Sequence, residues 1–242
     1  MKVIKLDATV STNLYLKSLL NKEKLDDLTV VVSNFQKEGR GRNGRTWEGD
    51  PSLNVAFSIY KRFEKLKVKD QFFLNILSSI SVFELLKKYN LNELSIKWPN
   101  DIMSENKKIS GILIENNVKG DMITHSVIGV GINVNQSKFE NLSNATSILI
   151  QTGIKNSIDE INLNLHHIFK SNFMNFFNKM SFFLDQYNSV LFRKRISSEF
   201  IIDRNKNFFG EIVVVSQRGL IRIKKSDGTY EDFHENEIKM KF

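Results

Sequence analysis

Gly39-Arg40-Gly41-Arg42-Asn43-Gly44-Arg45-Thr46-Trp47 lies between two strand-like runs, Leu28 to Phe35 and Leu53 to Tyr60. The first run is rich in β-branched residues, as in a buried strand, and the second alternates apolar and polar side chains with period two. The connection between them sets three arginines among three glycines. Glycine allows positive φ and close approach of backbone to a ligand, while arginine offers a rigid fork of donors to carboxylate or phosphate. Such a loop predicts a clamp for a multiply charged small molecule or for a nucleic-acid backbone. On its own it reads equally well as a solvated basic turn.

The pattern extends outward from this loop. Val3 to Leu6 predicts a short strand, and Ser11-Thr12-Asn13 can cap a helix beginning near Leu14 or touch a ligand. A helix is expected from Asp70 to Tyr89, with Ile76, Ile80, Phe83 and Leu86 on the stripe that covers a sheet. Strands at Leu94 to Lys97, Lys108 to Glu115 and Ser126 to Asn135 make this an α/β body and not a helical bundle. Phe169, Phe173, Phe176, Phe177 and Met180 form a helical aromatic pattern that fits core packing better than a cofactor box. Beyond Val190 the pattern changes to short strands at Glu211 to Ser216, Leu220 to Lys225 and Thr229 to Phe233, separated by Arg218-Gly219 and Asp227-Gly228. This predicts a body over 1–190 and a small β-barrel over 191–242.

Composition limits the function classes. With 41% apolar and 26% charged residues, the chain is an ordinary globular protein and not a disordered one. Its net charge of +8 fits an anionic partner or a generally basic surface. No cysteine is present, which excludes disulfides, thiolate chemistry and cysteine-based zinc sites. Met1 to Leu20 does not resemble a signal peptide, and no apolar run approaches the roughly 18 residues of a membrane span. A cytoplasmic protein without membrane association is expected. Gly129-Val130-Gly131-Ile132-Asn133 lacks the Gly-Lys-Ser/Thr ending of a P-loop, and His125, His166, His167 and His234 lack metal-motif spacing.

Taken with the Arg-Gly loop, the later segments Lys97-Trp98-Pro99-Asn100-Asp101, Lys107-Lys108-Ile109-Ser110-Gly111 and Gly129 to Asn133 resemble biotin protein ligases from Ser11 through Asn133. The likeness implies an α+β fold, with a mixed-sheet biotin/lipoate ligase-like catalytic domain and a small C-terminal SH3-like β-barrel. It implies a form without the N-terminal winged-helix DNA-binding domain of repressor-type relatives, so no specific DNA binding is expected. It also implies activation of biotin by ATP with Mg2+ to biotinyl-5'-adenylate, then transfer to one lysine of a biotin carboxyl carrier protein or domain. Homodimerisation through a sheet edge occurs in the family, but no local pattern here identifies contact residues.

Residue by residue, the resemblance places Lys108 at the reacting carboxylate and phosphate as an electrostatic catalyst, with Arg40 and Arg42 as ligand-contacting residues of the clamp. Gly39, Gly41 and Arg45 complete the loop, and Trp47 either stacks on adenine or packs. Ser11, Thr12, Asn13 and Gln36 are assigned to the biotin ureido ring and its surroundings. Asn100 resembles a residue near the nucleotide, Asp101 one that places the metal, and Gly111 and Asn133 are expected to shape the pocket. Apart from the motif, Asn100-Asp101 reads as a turn and Lys107 as a solvated charge. In the C-terminal part, Ser216-Gln217 departs from the more acidic lead-in of many relatives, so no catalytic role is carried over there. The competing readings are a lipoate or octanoate ligase and a nucleic-acid-binding protein.

Overall fold

A computed structural model describes residues 2–140, 144–202 and 206–241. Its body is a seven-stranded mixed sheet of β1 (Val3–Leu6), β2 (Val30–Ser33), β3 (Asn54–Lys67), β4 (Ser95–Lys97), β5 (Asp101–Ser104), β6 (Lys107–Lys119) and β7 (Met122–Asn133). The strand order is β1-β2-β3-β7-β6-β5-β4, with β1 and β2 parallel and the other neighbours antiparallel.

The period of two sorts side chains to the two faces. Val30, Val32, Phe57, Ile59, Ile128, Val130 and Ile132 face the main core, while Val31, Tyr60 and Val127 face a smaller cluster with Leu16 and Leu25. Helix α1 (Thr12–Leu20) covers that second face at one end, against β2, β3 and β7. On the main-core face lie α2 (Phe72–Lys87), α4 (Ile158–Met174) and α5 (Met180–Ser189). A single-turn helix, α3 (Ile148–Thr152), is capped by Ser147 and ends at Gly153 in the left-handed conformation. Among the described residues no helix is long and apolar enough to cross a membrane.

Four expectations change on contact with the structure. The helix starting near Leu14 begins at Thr12, and Ser11, though at the cap position, makes no side-chain cap bond. Asn100 does lie in a turn, Trp98 to Asn100, but Asp101 opens β5 and pairs with β4 and β6. The aromatic pattern from Phe169 to Met180 crosses a break between α4 and α5: Phe169, Phe173 and Phe176 are buried, but Phe177 is exposed. Helix α2 is buried well beyond one stripe, since α4 and α5 both pack against it as well as the sheet.

The C-terminal part is an antiparallel sheet of β8 (Ser198–Ile202), β9 (Lys206–Val215), β10 (Ile221–Lys225), β11 (Tyr230–Phe233) and β12 (Ile238–Lys241), ordered β11-β10-β9-β8-β12. The two end strands do not pair, so the expected barrel is an open one. It adjoins the body through Trp98, whose indole N–H donates to the Gly219 carbonyl at 3.1 Å. A Cβ at Gly219, where φ is +84°, would also run into the Phe72 ring.

Candidate active site

The second face of the sheet is left open beyond α1, because one row across five strands starts with three residues that carry nothing larger than a methyl group, before it reaches two charged ones. Ala56 pairs with Gly131, Gly131 with Gly111, Gly111 with Asp101, and Asp101 with Lys97. Adjacent strands lie about 4.8 Å apart, so the row runs roughly 19 Å from an apolar end to a charged end. Two cavities stand on this floor and share Ile112.

The first cavity is lined by Ser11, Thr12, Asn13, Gln36, Arg40, Trp47, Gly111, Gly129 and Gly131, with Phe57 and Val130 among the apolar residues. Its polar groups are fixed by one another. The Gln36 side-chain oxygen accepts from Thr12 N at 2.9 Å and from Thr12 Oγ1 at 3.1 Å. A backbone N–H can only donate, so the amide orientation is set and Gln36 Nε2 is left to donate to a ligand. Ser58 Oγ stands 2.7 Å from Thr12 Oγ1 and donates to Asn13 Oδ1 at 2.6 Å, while Asn13 Nδ2 donates to Glu115 Oε2 at 2.8 Å. Gly129 is required by this network, because a Cβ there would lie 2.5 Å from Asn13 Oδ1.

The second, larger cavity lies between the body and the C-terminal sheet. Arg42, Arg45, Lys97, Trp98, Asn100, Asp101, Lys108, Glu235 and Lys239 line it. Lys108 reaches it through a β-bulge. Ile102 pairs with Ser110 but Met103 with Lys108, so Ile109 is the extra residue, and Lys108 joins Gly111 and Asp101 on the open face. Its ammonium lies 2.7 Å from Asp101 Oδ1 and 5.5 Å from the centre of the Trp47 ring. Burial lowers the Lys97 pKa to about 8; Asp101 opposes that shift, and Lys108, Arg45 and Lys239 add to it. Tyr187 donates from its hydroxyl to the Pro99 carbonyl at 2.9 Å, and burial raises its pKa well above the usual phenol value.

The Arg-Gly loop is folded on itself. Trp47 N donates to the Gly39 carbonyl at 2.8 Å and Gly41 N to the Arg45 carbonyl at 2.7 Å, on either side of an Arg40–Thr46 bridge. The tip, Arg42 to Gly44, is a 3-10 turn with Asn43 and Gly44 at positive φ. A Cβ at Gly39 would overlap the Trp47 carbonyl, so that glycine serves close approach. The hairpin divides its arginines: Arg40 lines the first cavity, and Arg42 and Arg45 line the second.

Most of the sequence-selected residues therefore meet on one face. Trp47 lies flat over Gly131 and Gly111, whose missing side chains make room for it. Asn100 donates from Nδ2 to the Ile112 carbonyl and holds β6. Asn133 is the correction: it lines neither cavity, and its Nδ2 donates to the Thr146 carbonyl at 2.9 Å, tying down the end of β7. Among the described residues no group of three or more His, Asp or Glu is arranged to hold a metal, and Asp101 is paired with Lys108. Sequence reasoning missed Lys97, Ser58, Glu235 and Lys239 as site residues. Only Lys97 carried a signal, as the first residue of the Lys97 to Asp101 motif.

A model of the biotin/lipoate A/B protein ligase family matches residues 5–133, more than half of the chain. The chain belongs to the biotin/lipoate A/B protein ligase family. Within it, the bifunctional ligase/repressor BirA of Escherichia coli is 32% identical over 130 residues, covering 54% of this chain and 40% of BirA. The biotin–[acetyl-CoA-carboxylase] ligase of Mycobacterium tuberculosis is 31% identical over 126 residues, covering 51% and 46%. The matched stretch thus spans less than half the length of either curated relative. The biotin protein ligase of Aquifex aeolicus, solved in complex with biotin and ATP, superposes with a TM-score of 0.81 at 26% identity, over 99% of this chain and 98% of that one.

Proposed function

We propose that the protein activates biotin with ATP to biotinyl-5'-adenylate and transfers the biotinyl group to a lysine of a biotin carboxyl carrier domain. The observation that carries this reading is the continuous floor from Ala56 to Lys97, which joins a hydrogen-bonding cavity with Arg40 as its one charged lining residue to a cavity lined by several cations. The two cavities suit the two halves of an acyl adenylate. In this reading the ureido ring takes Gln36 Nε2 and the hydroxyls of Ser11 and Thr12, and the carboxylate ends near Lys108 beside Gly111. Arg40 guards the first cavity, and Arg42, Arg45 and Lys97 receive the phosphates.

One biotin carboxylate oxygen attacks the α-phosphorus of ATP, forming a carbon–oxygen–phosphorus link as the bond to the β-phosphate breaks and pyrophosphate leaves. Lys108 stabilises charge on the shared oxygens, with Asp101 fixing its ammonium. A neutral carrier amine then attacks the acyl carbon, losing a proton as AMP departs and the amide forms. Asp101 is the carboxylate on the charged floor, and Mg2+ ordinarily takes one or two protein carboxylates with substrate phosphates. Asp101 would help to hold the ion, which would supply positive charge to the pyrophosphate leaving group. Closing the Arg-Gly loop excludes water from the mixed anhydride.

The fixed donors favour biotin over the lipoate or octanoate reading, because an alkyl chain would leave Gln36 Nε2 and the Ser11 hydroxyl without ligand partners, while the Thr12 hydroxyl is already bonded to Gln36. Sites built to hydrogen-bond a ligand reject analogues lacking those groups by as much as about 10^4-fold. Incubating the protein with ATP, Mg2+ and equal biotin, lipoate and octanoate should give biotinyl adenylate by mass spectrometry. Exclusive lipoyl or octanoyl adenylate would overturn the assignment. A carrier domain should then gain one biotin, and its lysine-to-alanine variant none; equal labelling of both would remove the carrier-lysine claim.

A further inference from the structure

Among the described residues, the tip of the Arg-Gly loop has one side-chain tie to the rest of the molecule. Arg42 Nη2 donates to Oε1 of Glu235, in the turn between β11 and β12 and 193 positions along the chain. The two side chains are 27% and 32% exposed, so the pair is partly shielded, and both line the cationic cavity. Only one donor of the guanidinium fork is used, which leaves Nε and Nη1 for an anion. The base of the loop needs no such help, being closed by the Gly39–Trp47 and Gly41–Arg45 backbone bonds.

We propose that Glu235 is a positioning residue: from the C-terminal sheet it holds Arg42 by one edge of its guanidinium, presenting the remaining donors to the phosphate of the activated acyl group. This rests on the adenylate reading for the identity of the anion. It gives the C-terminal sheet a direct part in keeping the loop closed. A carboxylate bound through both edges would compete with phosphate, whereas a single-edge contact orients the group and leaves it available.

The test uses the full chain with Glu235→Gln, and with Glu231→Gln as control, because Glu231 pairs with Lys225 on the same sheet. Trypsin cleavage after Arg42 in the ligand-free protein, mapped by mass spectrometry, should quicken up to about fivefold in Glu235→Gln, the range available to a partly shielded ion pair. Cleavage elsewhere, and all cleavage in Glu231→Gln, should stay unchanged. Escape of preformed biotinyl adenylate from folded Glu235→Gln should rise by a similar factor with biotin affinity unaltered, and Glu235→Asp should recover part of the effect. Unchanged loop cleavage, or cleavage accelerated throughout the chain, would overturn the positioning role. Slower escape with tighter ATP binding would also overturn it, since Glu235 would then be a competitor for Arg42. Faster loop cleavage in a protein that makes no biotinyl adenylate would sink the reaction assignment and leave the anchor standing.

Discussion

Lys108 and Lys97 share one cavity wall but differ in setting. Lys108 is held by Asp101 at 2.7 Å with its side chain 36% exposed, which places it to act on developing oxygen charge. Lys108→Ala is expected to slow adenylate formation by about 10^2- to 10^3-fold. The thermal midpoint should change little, because so exposed a pair contributes little stability. Single-turnover pyrophosphate release beside a melting curve checks both, and preserved turnover would remove Lys108 from the chemistry. Lys97 holds its proton less tightly when folded, with a pKa of about 8 against the usual 10.5. Below pH 8 both folded and unfolded chains carry that proton and the penalty for burying the charge is full; the penalty fades as pH rises from about 8 to 10.5. Over the same rise the free cavity loses a cation. The apparent ATP affinity of the parent should therefore weaken about tenfold as pH passes through 8, the worth of one charged hydrogen bond, and Lys97→Met should show no such step. A pH profile of kcat/KM for ATP that is identical in the two proteins would refute this.

At the scale of elements, α4 illustrates what a sequence can and cannot disclose. Phe169 is fully buried and stacks on Phe57 of β3 with ring centres 6.0 Å apart, joining the helix to the sheet that floors the site. Phe169→Ala should cost about 3–5 kcal/mol in urea unfolding, and a loss below 1 kcal/mol would show that the site collapses around the cavity. Periodicity reveals such helices and strands because it is a local property. For that reason β1 was legible to the residue, and β3, β6 and β7 were found though cut short, since their polar outer ends lack the alternation of their buried middles. The break before α5 was hidden, because aromatic residues continue across it and only packing tells buried Phe176 from exposed Phe177. At the site, glycines and arginines mark themselves by type. Lys239 and Glu235 were invisible because they join the cavity only when the second sheet docks. The bulge at Ile109 was equally hidden, although it decides which way Lys108 points. Asn133 failed for the opposite reason: a motif position supplied a reading, and the fold uses that amide to tie down a strand end.

The whole molecule is two sheets with a charge gradient laid between them. The body alone supplies the first cavity. The second, cationic one needs both sheets, since Lys239 and Glu235 come from the C-terminal part and Arg42, Lys97 and Lys108 from the body. Trp98 stands at that seam, bonded to the Gly219 carbonyl, and Trp47 lies on the glycine floor of the other cavity. These are the two tryptophans of the chain. Each half of the cleft therefore carries its own natural fluorophore in a distinct setting: one indole rests on bare backbone beside an ammonium group, and the other has its N–H engaged at the joint between the sheets. Replacing either by phenylalanine would leave a single tryptophan, so that, with excitation beyond the absorption of the tyrosines, filling of the first cavity and movement at the joint could be followed separately with no dye attached.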